Sequence, residues 1–257
     1  MKVRVLGCGA AGGVPMISRG WGKCDPKNPK NRRTRSSVLI ESDGRRLLID
    51  TSPDLREQLL SANVNRLDAV LYTHEHADHL HGIDELREIN RVTRAPLPVF
   101  ANRTTLNHLK THFPYVFQSI DIEREPVFHP WLEPNLITSG EPFFAAGMQI
   151  VPFNQDHEWT TSVGYRFGPF AYSTDVVHLF DSSLSVLKGV ETWIVGCLSD
   201  KDHPSHASVA RVREWVDVIR PKRVFLTHMA VGMDYASLCA ELPAFIRPAY
   251  DGLELEV

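Results

Sequence analysis

Cysteine is scarce in this chain and never paired in sequence: Cys8, Cys24, Cys197 and Cys239 are its four thiols, with no CxxC pair among them. Such spacing excludes a disulfide framework as the device that holds the fold and favours a reducing compartment. No apolar run approaches membrane-spanning length, and Met1-Lys2-Val3-Arg4-Val5-Leu6 reads as a short strand rather than a secretory signal, so the expected location is cytoplasmic, without membrane attachment. A net charge of −3 gives no global pull towards nucleic acid or anionic surfaces. Low-complexity linkers and evident repeats are missing too. What remains is a chain of 257 residues with 43% hydrophobic content, enough for a substantial core, and the expectation is a single catalytic domain over 1–257.

Against that plain background one stretch stands out. After the apolar run Leu67 to Tyr72, Thr73-His74-Glu75-His76-Ala77-Asp78-His79 packs three imidazoles and the Asp78 carboxylate close together between positions 74 and 79. Side chains at a strand's end and in the first turn of the next helix converge on one point. Imidazole nitrogen together with carboxylate oxygen suits zinc, manganese or iron better than magnesium or calcium.

Other strand-like runs also end in polar residues. Met148 to Phe153 leads towards His157, Phe170 to Thr174 into Asp175, Lys222 to Thr227 into His228, and Arg46 to Ile49 into Asp50. Ligands of open α/β sheets collect beyond the carboxyl ends of strands, where each of these side chains falls. Ser37 to Glu41 and Arg46 to Ile49 predict a hairpin about Ser42-Asp43-Gly44. Leu80 to Val92 reads as a helix; Val209, Val212, Val216 and Ile219 give Ala207 to Ile219 an amphipathic spacing that Pro221 stops. Asn102 to Trp131, rich in aromatics and proline, has no clear period, and core packing is preferred there to a lid or a dimer contact.

Two motifs need weighing against better-known meanings. Gly7-Cys8-Gly9-Ala10-Ala11-Gly12 matches GxGxxG after a strand, but a dinucleotide fingerprint needs a helix to open there, and Gly13-Val14-Pro15 with Gly20-Trp21-Gly22 denies one. Lys30-Asn31-Arg32-Arg33-Thr34-Arg35 reads first as a solvated loop. Its place between the glycine loop and the second strand would nevertheless let Arg35 reach a substrate phosphate bidentately.

His74, His76, Asp78 and His79 spell HxHxDH, and with the residues downstream the chain resembles the metallo-β-lactamase fold superfamily. The resemblance implies an α/β protein, the metallo-β-lactamase αββα sandwich, whose internal duplication cannot be seen in the sequence. It implies two divalent metal ions, Zn²⁺ or Mn²⁺: one held by His74, His76 and His157, the other by Asp78, His79 and His228, with Asp175 bridging and Asp50 buried behind the histidine motif to orient it. Two such cations lower the pKa of a shared water, so the implied chemistry is hydrolysis by a metal-bound hydroxide. Redox use is disfavoured, since the flavodiiron branch prefers a carboxylate where this chain has His76 and no flavodoxin-like domain follows.

Within the superfamily, Leu6-Gly7-Cys8-Gly9, Thr174-Asp175, Asp202-His203-Pro204-Ser205-His206 and Tyr250-Asp251-Gly252 look most like the PhnP group, the phosphoribosyl cyclic phosphodiesterases, and more distantly like tRNase Z. By that resemblance His206, beginning a helix after the strand Trp193 to Leu198, is the non-ligand histidine that stabilises the transition state or protonates the leaving oxygen. Asp78 and His206 are then the catalytic residues, and His203, His206 and Arg35 touch the substrate; His203 either lines the pocket or caps its turn. The PhnP cysteine cluster is reduced here to Cys24, so no structural zinc is expected, and His81 is a spare surface residue. A tRNA-gripping arm is not evident and the chain lacks a strongly basic surface, which argues against tRNA as partner. The expected activity is phosphodiester hydrolysis of a small nucleotide-like or cyclic ribose phosphate; homodimerisation, common in the family, is left open. Its enzyme rival is a thioester or lactone hydrolase of the glyoxalase II type. A non-catalytic nucleotide-binding sensor is the rival of another class, and the complete ligand set weighs against it.

Overall fold

Runs of aliphatic residues with period-two alternation pair into two sheets in the computed structural model, which describes all 257 residues. The first half contributes β1 (Lys2–Gly7), β2 (Ser37–Ser42), β3 (Arg45–Ile49), β4 (Ala69–Leu71), β5 (Leu97–Ala101) and β6 (Leu132–Leu136). The second contributes β7 (Phe143–Ala145), β8 (Met148–His157), β9 (Thr160–Phe167), β10 (Phe170–Ser173), β11 (His178–Leu179), β12 (Thr192–Gly196), β13 (Arg223–Thr227) and β14 (Ile246–Pro248). A last strand, β15 (Glu254–Glu256), returns to the first sheet, whose order is β15-β1-β2-β3-β4-β5-β6; the second runs β11-β8-β9-β10-β12-β13-β14, with β7 beside β8.

Alternation along the strands builds two cores. Val3, Val5, Val38, Ile40, Leu47 and Ile49 face the second sheet and pack in one cluster with Phe153, Tyr165 and Trp193. Their neighbours Leu39, Leu48 and Val70 point the other way, onto Leu55 and Leu59 of helix α1 (Leu55–Ser61) and onto Leu86 and Ile89 further along. Burial on both faces of the central strands is what a helix–sheet–sheet–helix layering demands. The hairpin forms where expected, turning through Asp43 (φ 50°) and Gly44 (φ 74°); two successive positive φ values are the type I′ pattern that matches strand twist.

The long helix expected over Leu80 to Val92 is instead broken into α2 (Ala77–Leu80), a 3₁₀ turn (Ile83–Glu85) and α3 (Leu86–Thr93). The break sits at Gly82, whose amide donates to Thr51 O at 2.9 Å and where a Cβ would lie 2.0 Å from Ser52 O. The chain leaving β3 passes too close there for a continuous helix. Asn102 to Trp131 begins with α4 (Arg103–His112), capped by the Asn102 side chain, followed by a 3₁₀ turn (Pro114–Phe117); Leu106, Leu109 and Val116 enter the outer core. After α5 (Asp181–Leu187), helix α6 (Val209–Ile219) starts two residues later than expected, because the Ser208 side chain caps it by accepting the Arg211 amide. His206 therefore lies in the loop ahead of the helix, not on it. Helix α7 (Tyr235–Glu241) completes the set.

The basic run departs from a solvated loop. Arg33 is only 2% exposed and Asn31 is buried, because the segment folds back onto the glycine loop through bridges Val14 to Arg33 and Gly9 to Arg35. Asn31 then ties residues 24–33 to α7: its amide donates to Asp234 Oδ2 at 2.7 Å and its carbonyl accepts the Tyr235 N–H at 2.8 Å. All four cysteines are free. No helix is long and apolar enough to cross a membrane.

Candidate metal centre

The strand ends converge at one edge of the sandwich. Asp50, Asp175 and His228 follow β3, β10 and β13, and all three are left-handed, with φ of 64°, 50° and 55°. A non-glycine residue in that region costs on the order of 1–2 kcal/mol, and such strain concentrates at functional sites. His157 closes β8, His74 and His76 lie between β4 and α2, and Asp78 and His79 occupy the first turn of α2.

Asp175 divides the site. Its Oδ2 is 3.7 Å from His74 Nε2 and 3.5 Å from His157 Nε2, which in turn is 3.2 Å from His76 Nδ1. Its Oδ1 is 3.2 Å from His79 Nε2 and 3.3 Å from His228 Nε2, and both of these nitrogens lie 3.2 Å from Asp78 Oδ2. The ligand atoms thus fall into two four-residue groups, His74-His76-His157-Asp175 and Asp78-His79-Asp175-His228, each within 4.8 Å and sharing one carboxylate.

Hydrogen bonds behind the site set which imidazole nitrogen is free. Asp50 is fully buried; its Oδ1 accepts the Thr73 amide and its Oδ2 accepts the Thr73 hydroxyl and His79 Nδ1, each at 2.8 Å. The Thr73 hydroxyl has spent its proton on Asp50, so it must accept from His74 Nδ1, 2.9 Å away. His157 Nδ1 donates to Ser205 O at 2.7 Å. In His74, His79 and His157 alike, Nδ1 carries the proton and Nε2 presents a lone pair to the centre.

Those lone pairs fit a cation. His74 Nε2 and His79 Nε2 are buried without a hydrogen-bond partner, the signature of donors shaped for something other than a protein proton. Burial, reinforced by the charge on His79, depresses His74 well below the ordinary imidazole range. Burial opposes ionisation of Asp175, but His228 and His79 outweigh it and hold the carboxyl well below its usual range. Burial works against charge on His79 as well, yet Asp175, Asp78 and Asp50 raise it well above its ordinary value. A proton on His79 does there the work a divalent cation would do better. The donor set, imidazole and carboxylate only, suits zinc, manganese or iron.

Two recesses open onto the centre. The smaller, about 120 Å³, is lined by ligands, His206 and Trp159, an indole 86% exposed on the turn after His157. His206 stacks on His228 with 4.9 Å between centroids, its Nδ1 3.9 Å from Asp175 Oδ2, and burial holds it down to about 3, so it is neutral near pH 7. The larger recess, about 500 Å³, shares Ala11 and Asp78 with the first and adds Arg35, Met16 and Ile17. His203 is exposed and lines neither; its Nδ1 accepts from the Ser205 amide and hydroxyl, which makes it a turn cap. His81 is exposed, edge-on to Phe113. Thr73, Ser205 and Trp159 were not singled out in the sequence: the first two act through one hydroxyl and one carbonyl that carry no motif, and an isolated tryptophan reads as core.

A paired His/Asp centre at the strand ends of an αββα sandwich is that of a metallo-hydrolase. The beta-lactamase superfamily domain model matches residues 45–229, and a solved diphosphatase of the PhnP family is 34% identical with a TM-score of 0.89, covering 100% of this chain and 96% of that one. The chain belongs to the metallo-β-lactamase superfamily and, within it, to the PhnP family. Human tRNase Z, short form, shares the fold at 17% identity and a TM-score of 0.69 over 100% of this chain and 99% of that one. An octanoyltransferase of Porphyromonas gingivalis is 33% identical over 260 residues, which is 99% of this chain but 51% of that protein. The chain spans about half the length of the curated relatives it matches.

Proposed function

We propose that this chain is a phosphodiesterase that works with two divalent cations, zinc or manganese, on a small nucleotide-like or cyclic ribose phosphodiester. The observation that carries the reading is the split of Asp175 between two histidine-rich groups, with a neutral, non-ligand His206 stacked beside them. His74, His76 and His157 would hold one cation, Asp78, His79 and His228 the other, and Asp175 both. When bound, the pair supplies Lewis-acid charge for the phosphate oxygens and an activated water as nucleophile.

The chain's own residues do the rest. Asp50 and Ser205 O fix the imidazole protons away from the centre. A neutral His206 has one N–H to donate, either to a phosphoryl oxygen as charge develops there or to the leaving oxygen as its bond to phosphorus breaks. Trp159 offers an apolar face beside the reacting group, where a base could stack. The diphosphatase activity named for the PhnP-family neighbour supports hydrolysis at phosphorus. The rival, a thioester or lactone hydrolase, takes little from the Porphyromonas relative, whose name is that of an octanoyltransferase and about half of which lies outside the match. One catalytic unit over 1–257 in the reducing cytoplasm, with tRNA not a partner, completes the reading.

The test is turnover of bis(p-nitrophenyl) phosphate beside an acyl thioester, by protein of counted metal content. Diester cleavage that requires two metals is expected, and His206→Ala should slow it by roughly two to four orders of magnitude with metal content unchanged. Cleavage of the thioester alone, or an undiminished rate in the variant, defeats the proposal.

A further inference from the structure

Helix α4 carries a pair of imidazoles that the proposed chemistry does not use. His108 and His112 stand one turn apart, the i, i+4 spacing at which two histidines on one helix face share a metal ion. Their rings stack with centroids 4.1 Å apart and planes 25° apart. One zinc ion, with Zn–N bonds of about 2.0–2.1 Å, bridges nitrogens about 3–4 Å apart, so near-parallel rings at this distance need little movement to grip it.

The protons also lie where such a site needs them. His112 Nδ1 donates to His108 O at 3.0 Å, which leaves Nε2 as the nitrogen for a cation. Burial and the neighbouring His112 hold His108 below the ordinary imidazole range, with Glu75 opposing and His81 and His76 adding, so its ring is neutral at pH 7. His112 is exposed and His108 half-buried, so the pair is open to solvent.

The same helix face is tied to the metal motif. Thr105, three residues before His108, donates its hydroxyl to Glu75 Oε2 at 3.3 Å, and Thr160 donates to Glu75 Oε1 at 2.8 Å. Glu75 is thereby committed to two hydroxyls and pins α4 beside the HxHxDH segment. In the group His74-His76-His157-Asp175, His76 alone is exposed, and its charge is among those felt at His108. The α4 pair therefore stands on the open side of the centre.

We propose that His108 and His112 form a third cation site, which captures exchangeable zinc beside His76 and feeds the centre. Its donors are imidazoles without a carboxylate, a set that suits zinc and not manganese. The inference rests on the two-cation part of the proposed function and not on its substrate.

The experiment uses protein loaded with two Zn²⁺ and freed of excess metal, titrated calorimetrically with Zn²⁺ and with Mn²⁺. Wild type should take one further zinc equivalent and show no further manganese step. His108→Ala and His112→Ala should each weaken the zinc step by at least about 10- to 100-fold, the loss that follows even when a residue that only orients a ligand is removed. Alanine is the best helix former, so both variants should keep the fold, which a thermal melt of each checks. Apo-protein is then offered fewer than two equivalents of Zn²⁺ on a chromophoric chelator, and wild type should fill faster than either variant to the same final content. A zinc step that survives both variants, and so reports an adventitious ion only, overturns the inference. An equal step with Mn²⁺, or filling at an unchanged rate, overturns it as well. A wild type that cannot be loaded with two ions defeats the two-cation reading instead; the titration then starts from apo-protein, where a zinc step lost in both variants still upholds the α4 site.

Discussion

Replacing Asp50 with asparagine should disable both metal sites through protons rather than ligands. The carboxylate accepts three hydrogen bonds, two of them at Oδ2 from the Thr73 hydroxyl and His79 Nδ1. An amide can keep the Thr73 N–H bond with its oxygen, but its NH₂ then faces two donors. His79 must move its proton to Nε2, where it blocks the lone pair meant for the centre. The Thr73 hydroxyl, now accepting from the amide, donates to His74 Nδ1 and shifts that proton to Nε2 as well. One change of oxygen to nitrogen thus reverses a histidine in each group. Loss of such an orienting partner costs about 10- to 100-fold in metal affinity, or roughly 1.4–2.7 kcal/mol, here expected at both sites. The assay is competition with a chelator that resolves two binding steps, on Zn²⁺-loaded wild type, Asp50→Asn and Thr73→Val. Thr73→Val keeps the amide and removes the hydroxyl relay, so it should weaken the His74 site more than the His79 site. Unchanged affinity in Asp50→Asn, or loss confined to one step, would refute the relay.

Gly82→Ala should destabilise the fold by about 1–3 kcal/mol in urea titration, because the added carbon meets the Ser52 carbonyl and neither backbone can give way; a loss under 0.5 kcal/mol, the scale of an ordinary surface change, would contradict the close approach. Asp251, which accepts the Cys8 and Thr34 amides, is pushed by burial up to about 6 from 3.8. Its contribution to stability is therefore full below about pH 4 and lost as pH rises through 6, so the advantage of wild type over Asp251→Asn should shrink across that window; an advantage that grows with pH reverses the sign and the argument. Trp159→Ala should raise KM for a nucleotide diester by about 5- to 50-fold with kcat little changed, as loss of one stacked base predicts; an unaltered KM removes the indole from the pocket.

The metal motif was legible because its chemistry is dense in the sequence: HxHxDH needs no partner to be recognised, and the other candidate ligands sit where apolar strands end. The hairpin at Asp43-Gly44 was legible for the same local reason. The break at Gly82 was not, since Leu80, Ile83, Leu86 and Ile89 keep a helical spacing across it and the cause is a carbonyl thirty residues upstream. His206 falls outside the helix that the sequence predicts to begin with it, because the apolar spacing from Val209 onward does not mark the start and only the Ser208 cap does. Arg33 shows the wider limit. A charged run reads as solvated until Val14 and Gly9 fold over it, and contacts between distant segments leave no period to find.

The central claim is that Asp175 joins two metal sites. Anomalous diffraction from a crystal of the protein reconstituted with Zn²⁺ tests it most directly: two peaks roughly 3.5–4 Å apart, one against each oxygen of Asp175, are expected, and a single peak, or two that share no contact with Asp175, would contradict it.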